Sequence, residues 1–431
     1  MTVLLLELNE INFEYVQAYA TGGELPRLSA LVDKYGISET VSEAEYDHLE
    51  PWIQWVTAHT GKTLSEHGVF RLGDIVEHDI EQVWEALERQ GLSVGAISPM
   101  NAKNRCQRPS FFLPDPWTRT GADGSIVLKK LHAALAQVVN DNADSRLSAS
   151  SAFWLLAGLA TYARPTNYAD YLSLAFRSRG RPWNKALLLD QLLADTFIRQ
   201  VKRTKPDFAS LFLNAGAHIQ HHYLFNSKYH KGPQANPDWY LPRDADPLLE
   251  VYRLYDRIVG EVMDTFPDAR FIIATGLHQD PHHEVTYYWR LKDHDAFLKK
   301  SGIPFQRAEP RMSRDFVVYC SDEAEAAEAE HQLRLIQRID GSELFDVDNR
   351  GSSLFVMLIW PHDIPPDFQC RSGNRLLAGF RDDVAFVAIK NGHHNGIGYL
   401  IDTGAPVRSK DRLPLAQLPN RIADACGAVW S

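Results

Sequence analysis

The run Val3-Leu4-Leu5-Leu6-Glu7-Leu8, close to the start of the chain, decides the fold class. Its apolar residues follow one another instead of alternating with polar ones, which is typical of a strand buried on both faces of a parallel sheet. Polar residues come next, in Asn9-Glu10-Ile11-Asn12. The sequence therefore predicts a buried parallel strand with polar groups at its carboxyl end, the edge where open α/β sheets bind ligands.

The rest of the chain alternates between helix and strand patterns. Predicted helices cover Leu25–Val32, Ile80–Gln90 and Pro247–Phe266, and predicted strands cover Ser93–Ile97, Phe208–Asn214, Ala269–Thr275, Val384–Lys390 and Ile397–Ile401. Such alternation indicates βαβ units. We therefore expect a three-layer α/β/α sandwich with a mostly parallel sheet.

Two stretches depart from this alternation. Residues 127–203 are almost wholly helical in pattern, which predicts a helical insertion or cap. Residues 295–385 mix strand and helix patterns, which predicts a smaller α+β insertion. We expect residues 1–431 to form one α/β domain that carries both insertions.

Composition excludes several classes of protein. The 431 residues carry 45 Lys and Arg against 55 Asp and Glu, a net charge of −10, and 45% of them are hydrophobic. These values are typical of a folded globular chain and exclude a disordered, collagen-like or coiled-coil one. Because nucleic-acid binders usually present a basic face, we expect no nucleic-acid partner.

Location in the cell is predicted from apolar runs and cysteines. No apolar run approaches the roughly 20 residues of a membrane-spanning helix, so we expect no span. The first apolar run predicts a strand and not a signal peptide, and the four cysteines are scattered without a CxxC pair. Both features favour a cytoplasmic location.

Histidines give the strongest signal of a functional site. Three imidazole-rich loops follow or join predicted strands, namely Asn214–His222, Gly276–His283 and Asn391–Gly396. Because ligands of an open α/β sheet collect at the strand ends, these loops are predicted to converge, and several imidazoles at one point favour a metal site. His218 and His222 would share one helix face. The alternative for any single histidine is a helix cap or a hydrogen bond to a neighbouring loop.

Two further segments have the polar character of a site. Tyr46–Trp55 contains Glu50 ahead of a predicted helix, and Pro99–Arg105 contains Asn101 and Lys103, which could contact an anionic substrate. The alternatives are an acidic helix cap for Glu50 and a solvated loop for the second segment. The sequence contains no GxGxxG, Walker or GxSxG motif.

The order of the motifs resembles that of the alkaline phosphatase superfamily, most nearly its branch of type I phosphodiesterases and nucleotide pyrophosphatases. The resemblance spans nearly the whole chain and consists of the first strand, Gly23–Leu28, Trp55–Gly61 running to Glu66–Phe70, Ala217–His221, Thr275–His278, Gly392–Gly398 and a closing helix over Leu415–Gly427. It implies cleavage or transfer of phosphate and related esters by two metal ions, usually zinc, and a Thr or Ser nucleophile.

Carried over residue by residue, the resemblance is incomplete. His221, His278 and His394 stand where the family has metal-binding histidines. Asn9, Ala217 and Leu277, however, stand where the family has aspartates. Glu50-Pro51 occupies the place of the nucleophile, so the expected hydroxyl is missing.

These departures imply a remodelled site. Losing three carboxylates removes most of the negative charge that holds two dications together, so we expect one divalent ion per chain, zinc first, with manganese or iron as alternatives. The expected ligands are His221, His278 and His394, completed by Asn9 or Glu50. Substitutes or partners for these ligands are His218, His222, His282 and His283. Glu50 is alternatively a general base or a carboxylate nucleophile.

The sequence leaves different functions open. The first is a metal-dependent hydrolase or transferase acting on a phosphate-type ester, either a small molecule or a glycan- or lipid-linked one. The second is a catalytically inactive phosphatase-like protein that binds a glycan, a nucleotide or a partner protein, and the missing hydroxyl and aspartates motivate it. A third is redox chemistry at a histidine-rich metal site. The sequence does not indicate the oligomeric state.

Overall fold

The computed structural model describes residues 1–140, 148–311, 314–406 and 412–430. The strands are β1 (Val3–Leu8), β2 (Ser38–Val41), β3 (Val94–Ile97), β4 (Phe111–Leu113), β5 (Phe208–Leu213), β6 (Arg270–Ala274), β7 (His278–Leu291), β8 (Arg307–Pro310), β9 (Asp315–Tyr319), β10 (Ile336–Arg338), β11 (Phe345–Asn349), β12 (Ser353–Leu358), β13 (Cys370–Ser372), β14 (Arg375–Leu377), β15 (Val384–Asn395), β16 (Ile397–Asp402) and β17 (Leu413–Pro414). The α-helices are α1 (Phe13–Thr21), α2 (Pro26–Tyr35), α3 (Pro51–Thr60), α4 (Leu64–His67), α5 (Val83–Arg89), α6 (Ile126–Asn140), α7 (Ala149–Tyr162), α8 (Tyr168–Arg177), α9 (Asn184–Thr204), α10 (Ala215–Tyr223), α11 (Pro247–Thr265), α12 (His294–Ser301), α13 (Glu323–Arg334), α14 (Phe380–Asp383) and α15 (Leu418–Cys426). Short 3-10 helices cover Tyr46–His48, Asp74–Glu77, Pro165–Asn167, Leu224–Asn226 and Leu415–Gln417.

The chain divides into two compact units, the first of which contains residues 1–231, 243–281 and 392–431. Its described residues form an eight-stranded sheet in the order β17-β2-β16-β6-β1-β5-β3-β4. Strands β6, β1, β5, β3 and β4 run parallel to one another, and β16 is antiparallel to both β6 and β2. The predicted mostly parallel α/β sheet is confirmed.

Strand β1 lies in the middle of this sheet, as its apolar run predicts. Every residue from Val3 to Leu8 is buried. Val3 and Leu5 share a core cluster with aromatic side chains of α3 and α5 and with apolar side chains of α15. Leu4 and Leu6 point to the opposite face because side chains alternate along a strand, and they are equally buried. Both faces of the sheet are therefore covered.

Helices α6 to α9 follow one another between β4 and β5, over most of the stretch for which a helical insertion is predicted. Helix α6 packs against α7, and both α7 and α8 contact α9, which lies against β5. Residues 141–147 of the predicted insertion lie outside the described residues. Among the described residues, no helix is both long enough and apolar enough to cross a bilayer.

The second unit contains residues 232–242 and 282–391. It has a four-stranded antiparallel sheet in the order β11-β12-β9-β8 and a three-stranded sheet in the order β10-β13-β14. Strands β7 and β15 pair with each other in a further sheet. Phe297, Phe316, Leu333 and Phe345 are among the buried residues of its own core. The assignment of residues 295–385 as an insertion into a single domain stays a prediction.

Candidate functional site

The site lies at the carboxyl ends of three adjacent strands in the first unit. Strands β5 and β6 flank β1 on its two sides and run parallel to it, with Val3 opposite Phe208 on one side and Arg270 on the other. The chain therefore leaves all three strands at the same edge of the sheet. This edge carries Asn9 and Glu10 after β1 and Asn214 after β5.

Glu10 occupies a strained turn directly after β1. Its φ is 61°, a left-handed conformation that few residues other than glycine adopt. The Glu10 N–H donates to the carbonyl of Thr275 at 3.1 Å, and the Asn9 N–H donates to the carbonyl of Leu213 at 3.1 Å. The flanking strands thus hold the turn in place. Backbone strain of this kind concentrates at functional sites.

The turn brings the Glu10 carboxylate to two imidazoles from distant parts of the chain. Glu10 Oε2 lies 3.2 Å from His221 Nε2 and 3.1 Å from His394 Nε2. The two Nε2 atoms are 3.3 Å apart. Among the described residues, Glu10, His221 and His394 form the group of potential metal donors, with their donor atoms within 4.8 Å of one another.

Electrostatics keep the Glu10 carboxylate ionised. Burial alone would raise the pKa of Glu10, which is 1% exposed, but the charges of His394 and His221 and their hydrogen bonds outweigh burial. The pKa of Glu10 therefore lies well below its ordinary value. One ionised carboxylate and two imidazole nitrogens at one point are a donor set that fits a divalent ion such as zinc.

A layer of amide groups fixes the Glu10 side chain. Asn9 Nδ2 donates to Glu10 Oε1 at 3.0 Å, and Gln279 Nε2 donates to Glu10 Oε2. Gln220 Nε2 donates to the Glu10 carbonyl at 2.7 Å. Trp55 Nε1 donates to Asn9 Oδ1 at 2.6 Å. These contacts orient the carboxylate toward the two imidazoles.

Asn9, a predicted metal ligand, is fully buried and uses both ends of its amide inside the protein. Its Oδ1 accepts from Trp55, and its Nδ2 donates to Glu10 and to Asn214 Oδ1, the latter at 2.8 Å. In this arrangement Asn9 holds the neighbouring carboxylate. Its role as a ligand stays a prediction.

His278, the third predicted histidine ligand, makes a separate pair. Its Nδ1 lies 2.5 Å from the Ile397 carbonyl, and its Nε2 lies 3.2 Å from Asp280 Oδ1. Asn395 Nδ2 donates to the other carboxylate oxygen of Asp280 at 2.7 Å. Burial raises the pKa of Asp280, but the contacts with His278 and Asn395 outweigh it and leave the pKa below its ordinary value. His278 is thus engaged by Asp280 and not by Glu10.

Glu50 reaches the cluster from the start of α3. It is the N-cap residue, followed by Pro51 at the first helical position. Its Oε2 lies 3.7 Å from His394 Nδ1, on the opposite side of the ring from Glu10. The Glu50 side chain is 36% exposed, whereas that of Glu10 is 2% exposed. Glu50 is therefore the more accessible of the two carboxylates to an incoming substrate.

The remaining predicted histidines lie in different places. His218 and His222 are on α10, with ring centroids 5.0 Å apart, and His222 is 6.2 Å from the His221 ring. His282 and His283 belong to the second unit, where their rings are 6.1 Å apart.

The two predicted substrate-binding residues contact the protein's own backbone. Asn101 is fully buried, and its side chain donates to the carbonyls of Trp52 and Arg71 and accepts from the Gly73 N–H. Lys103 Nζ donates to the Val76 carbonyl at 2.7 Å. Their role in substrate binding stays a prediction.

Glu10 was not among the ligands predicted from the sequence. The signal was present, because Glu10 lies in the polar segment directly after the first strand. The resemblance drew attention to Asn9, which stands in the place of the family's aspartate. The structure instead turns the adjacent carboxylate toward the histidines.

One family profile matches this chain. A profile described as Type I phosphodiesterase / nucleotide pyrophosphatase matches residues 3–278. No curated protein gives a significant match. Among solved structures, phosphonoacetate hydrolase from Sinorhizobium meliloti 1021 is 13% identical, with 99% of this chain and 95% of that chain covered and a TM-score of 0.45. Human ectonucleotide pyrophosphatase / phosphodiesterase 5 is 11% identical, with 100% of this chain and 96% of that chain covered and a TM-score of 0.47. The murine protein is 10% identical, with 100% of this chain and 96% of that chain covered and a TM-score of 0.46.

Proposed function

The chain belongs to the type I phosphodiesterase / nucleotide pyrophosphatase family, and on that premise we propose that it cleaves or transfers a phosphate-type ester with one divalent cation held by Glu10, His221 and His394. Family membership supports a hydrolase that acts on phosphate esters. The observation that carries the finer proposal is the convergence of the three donor atoms on one point.

Charge favours one cation at this point. Glu10 supplies a single negative charge, and the two imidazoles bind metals in their neutral form. A second dication held by the same three donors would therefore lack compensation. Zinc suits a site of two imidazoles and one carboxylate, with manganese or iron as alternatives. Such an ion would polarise an ester oxygen as a Lewis acid.

The protein's own residues supply positioning and proton transfer. Asn9 and Gln279 fix the Glu10 carboxylate, so that the donor set is ready before any ligand binds. Glu50 occupies the place of the family's nucleophile and contacts the far side of the His394 ring. We assign Glu50 one of two roles. It is either the general base that takes a proton from water or from an alcohol, or a carboxylate nucleophile.

Family membership indicates only the class of the substrate. A phosphate-type ester fits the family, and we extend the proposal to a small molecule or a glycan- or lipid-linked ester. Glu50, a carboxylate, stands in the place of the family's hydroxyl nucleophile, which also supports the alternative, a phosphatase-like protein that binds a ligand without turnover.

An activity screen with three matched variants tests the proposal. Zinc-loaded protein is assayed against generic phosphodiester, phosphomonoester and acyl-ester substrates. We expect turnover of a phosphorus ester, a loss of about 100-fold or more in Glu50→Gln with metal retained, and loss of both metal and turnover in Glu10→Gln. Glu45→Gln is the control, since its side chain is 77% exposed.

The outcomes separate the roles. Full turnover by Glu50→Gln would rule out Glu50 as base and as nucleophile. Silence of the metal-loaded wild-type protein toward every substrate class would favour the ligand-binding alternative.

A further inference from the structure

Helix α7 presents large apolar side chains to solvent. Phe153 is 61% exposed and Leu156 is 66% exposed, and they lie on one face at a spacing of i, i+3. The opposite face is the packed one. Gly158 is buried there, and a Cβ at this position would lie 2.6 Å from the Leu131 side chain of α6. The exposed apolar face of α7 is therefore the side turned away from the protein.

Helix α8 repeats this arrangement. Tyr168, Leu172 and Phe176 are 48%, 74% and 75% exposed and follow one another at i, i+4 and i+8. Tyr171 is on the packed side, where its hydroxyl donates to Asp195 of α9 at 3.0 Å. We call the exposed residues Phe153, Leu156, Tyr168, Leu172 and Phe176 the apolar face of α7 and α8.

This pattern departs from the usual one, because α8 buries Tyr171 and Leu174 on its packed side and also exposes apolar side chains. A surface helix normally turns its polar side chains to water and its apolar stripe to the core. Apolar residues that are exposed singly need no explanation, but several at helical spacing along one helix, as on α8, are typical of an interaction surface.

The charges around the apolar face indicate the kind of partner. Residues 149–185 contain five cations, which are Arg164, Arg177, Arg179, Arg181 and Lys185, and one anion, Asp170. The segment therefore has a charge of 5 − 1 = +4 in a chain whose net charge is −10. Arg177 and Arg181 both pair with Glu250, Arg164 pairs with Glu261, and Asp170 pairs with Arg257. The segment and these partners together have a charge of 4 − 2 + 1 = +3.

We propose that the apolar face of α7 and α8 binds the surface of an anionic lipid bilayer. Leu and Phe side chains would enter the acyl region, Tyr168 would lie at the level of the headgroups, and the arginines that follow α8 would attract anionic headgroups. A second copy of the chain fits less well, because a self-complementary contact would bring two cationic segments together. This proposal is independent of the proposed catalytic activity.

Vesicle co-sedimentation tests the proposal with the full-length protein. We expect wild-type protein to sediment with vesicles of phosphatidylcholine and phosphatidylglycerol and to bind vesicles of phosphatidylcholine alone more weakly. Leu172→Asp and Phe176→Asp should each weaken binding by about tenfold or more, and Arg179→Glu by about fivefold or more. The matched control is Leu376→Asp, at a side chain of the second unit that is 67% exposed.

Circular dichroism establishes that each variant is folded, as expected for changes at exposed positions. The proposal is overturned by wild-type protein that ignores anionic vesicles, or by Leu172→Asp and Leu376→Asp having the same effect. A concentration-dependent dimer that Leu172→Asp abolishes, without vesicle binding by the wild type, would also overturn it and identify a second copy as the partner.

Discussion

The buried pair of Glu7 on β1 and His59 on α3 provides a stringent test of how the site is held in place. His59 Nε2 lies 2.6 Å from Glu7 Oε1, and the two side chains are 1% and 0% exposed. The His59 ring also contacts Trp55 and Trp84, with centroids 5.7 and 4.6 Å away. Because α3 starts at the residue after Glu50, this pair anchors the helix that presents Glu50.

Removal of His59 leaves the Glu7 carboxyl buried without its partner. The other carboxyl oxygen, Glu7 Oε2, has no hydrogen-bond partner among the described residues, so His59 supplies the side-chain compensation. Breaking a buried pair from one side costs about 3–5 kcal/mol. We therefore expect His59→Ala to lower the free energy of unfolding by this amount. The double variant Glu7→Leu/His59→Ala should recover about 1–3 kcal/mol, because no unpaired polar side chain is then buried at this position.

Urea unfolding monitored by tryptophan fluorescence measures these differences at constant m-value. The control is His48→Ala, whose side chain is 32% exposed and lies 3.5 Å from that of Glu45, and we expect a change within about 0.5 kcal/mol. If the double variant is no more stable than His59→Ala alone, an unpaired Glu7 is not the source of the loss and the reasoning is wrong.

Other predictions concern the amide layer and a buried carboxyl. Asn9→Ala removes the donor to Glu10 Oε1 and should weaken zinc binding by about 10- to 100-fold in a competition titration with a chelator. Gly392→Ala places a Cβ 2.0 Å from Gln279 Oε1, so Gln279 must shift away from Glu10, and the same titration should show weaker zinc binding without loss of the fold. Burial raises the pKa of Asp190 from its ordinary 3.8 to about 6, despite hydrogen bonds from Tyr255 and the backbone. The Asp190 carboxyl therefore binds its proton more tightly in the folded chain than in the unfolded chain. The stability that the protonated carboxyl contributes is present below pH 3.8 and is lost as the pH rises to about 6. This loss amounts to about 3 kcal/mol. Denaturant unfolding at several pH values should show that Asp190→Asn lacks this decline.

The central strand could be predicted because its sequence has one physical explanation. A six-residue run from Val3 to Leu8 that is apolar at nearly every position cannot leave one face in water, and all six residues are buried. The convergence of loops from β1 and β5 follows equally well, since parallel neighbours end at one edge of a sheet.

The donor set of the site could be predicted only in part. The resemblance predicts His221 and His394 as ligands of one metal ion, and the structure places their Nε2 atoms 3.3 Å apart. The third member depends on the left-handed turn at Glu10, which rotates this side chain, rather than that of Asn9, toward the histidines. A sequence pattern does not reveal such a conformation in a residue other than glycine. Nor does it reveal that Asp280 engages His278.

The exposure of the apolar residues of α7 and α8 also could not be predicted from the sequence. A helix such as α7, apolar on nearly all sides, is expected to be buried or in contact with lipid, and periodicity alone does not choose between these. The exposure of Phe153 and Leu156 in the structure shows that one side of α7 faces outward.

Elemental analysis by mass spectrometry, on protein purified without a His-tag and incubated with zinc, manganese or iron, tests the proposed metal centre most directly. The proteins to compare are wild type, Glu10→Gln, His221→Ala, His394→Ala and the control His218→Ala, which removes an exposed imidazole from the same helix as His221. We predict one metal ion per chain in the wild type and the control, and its loss in the other three variants. No metal in the wild type, or a full complement in Glu10→Gln and His221→Ala, would contradict a metal centre at Glu10, His221 and His394.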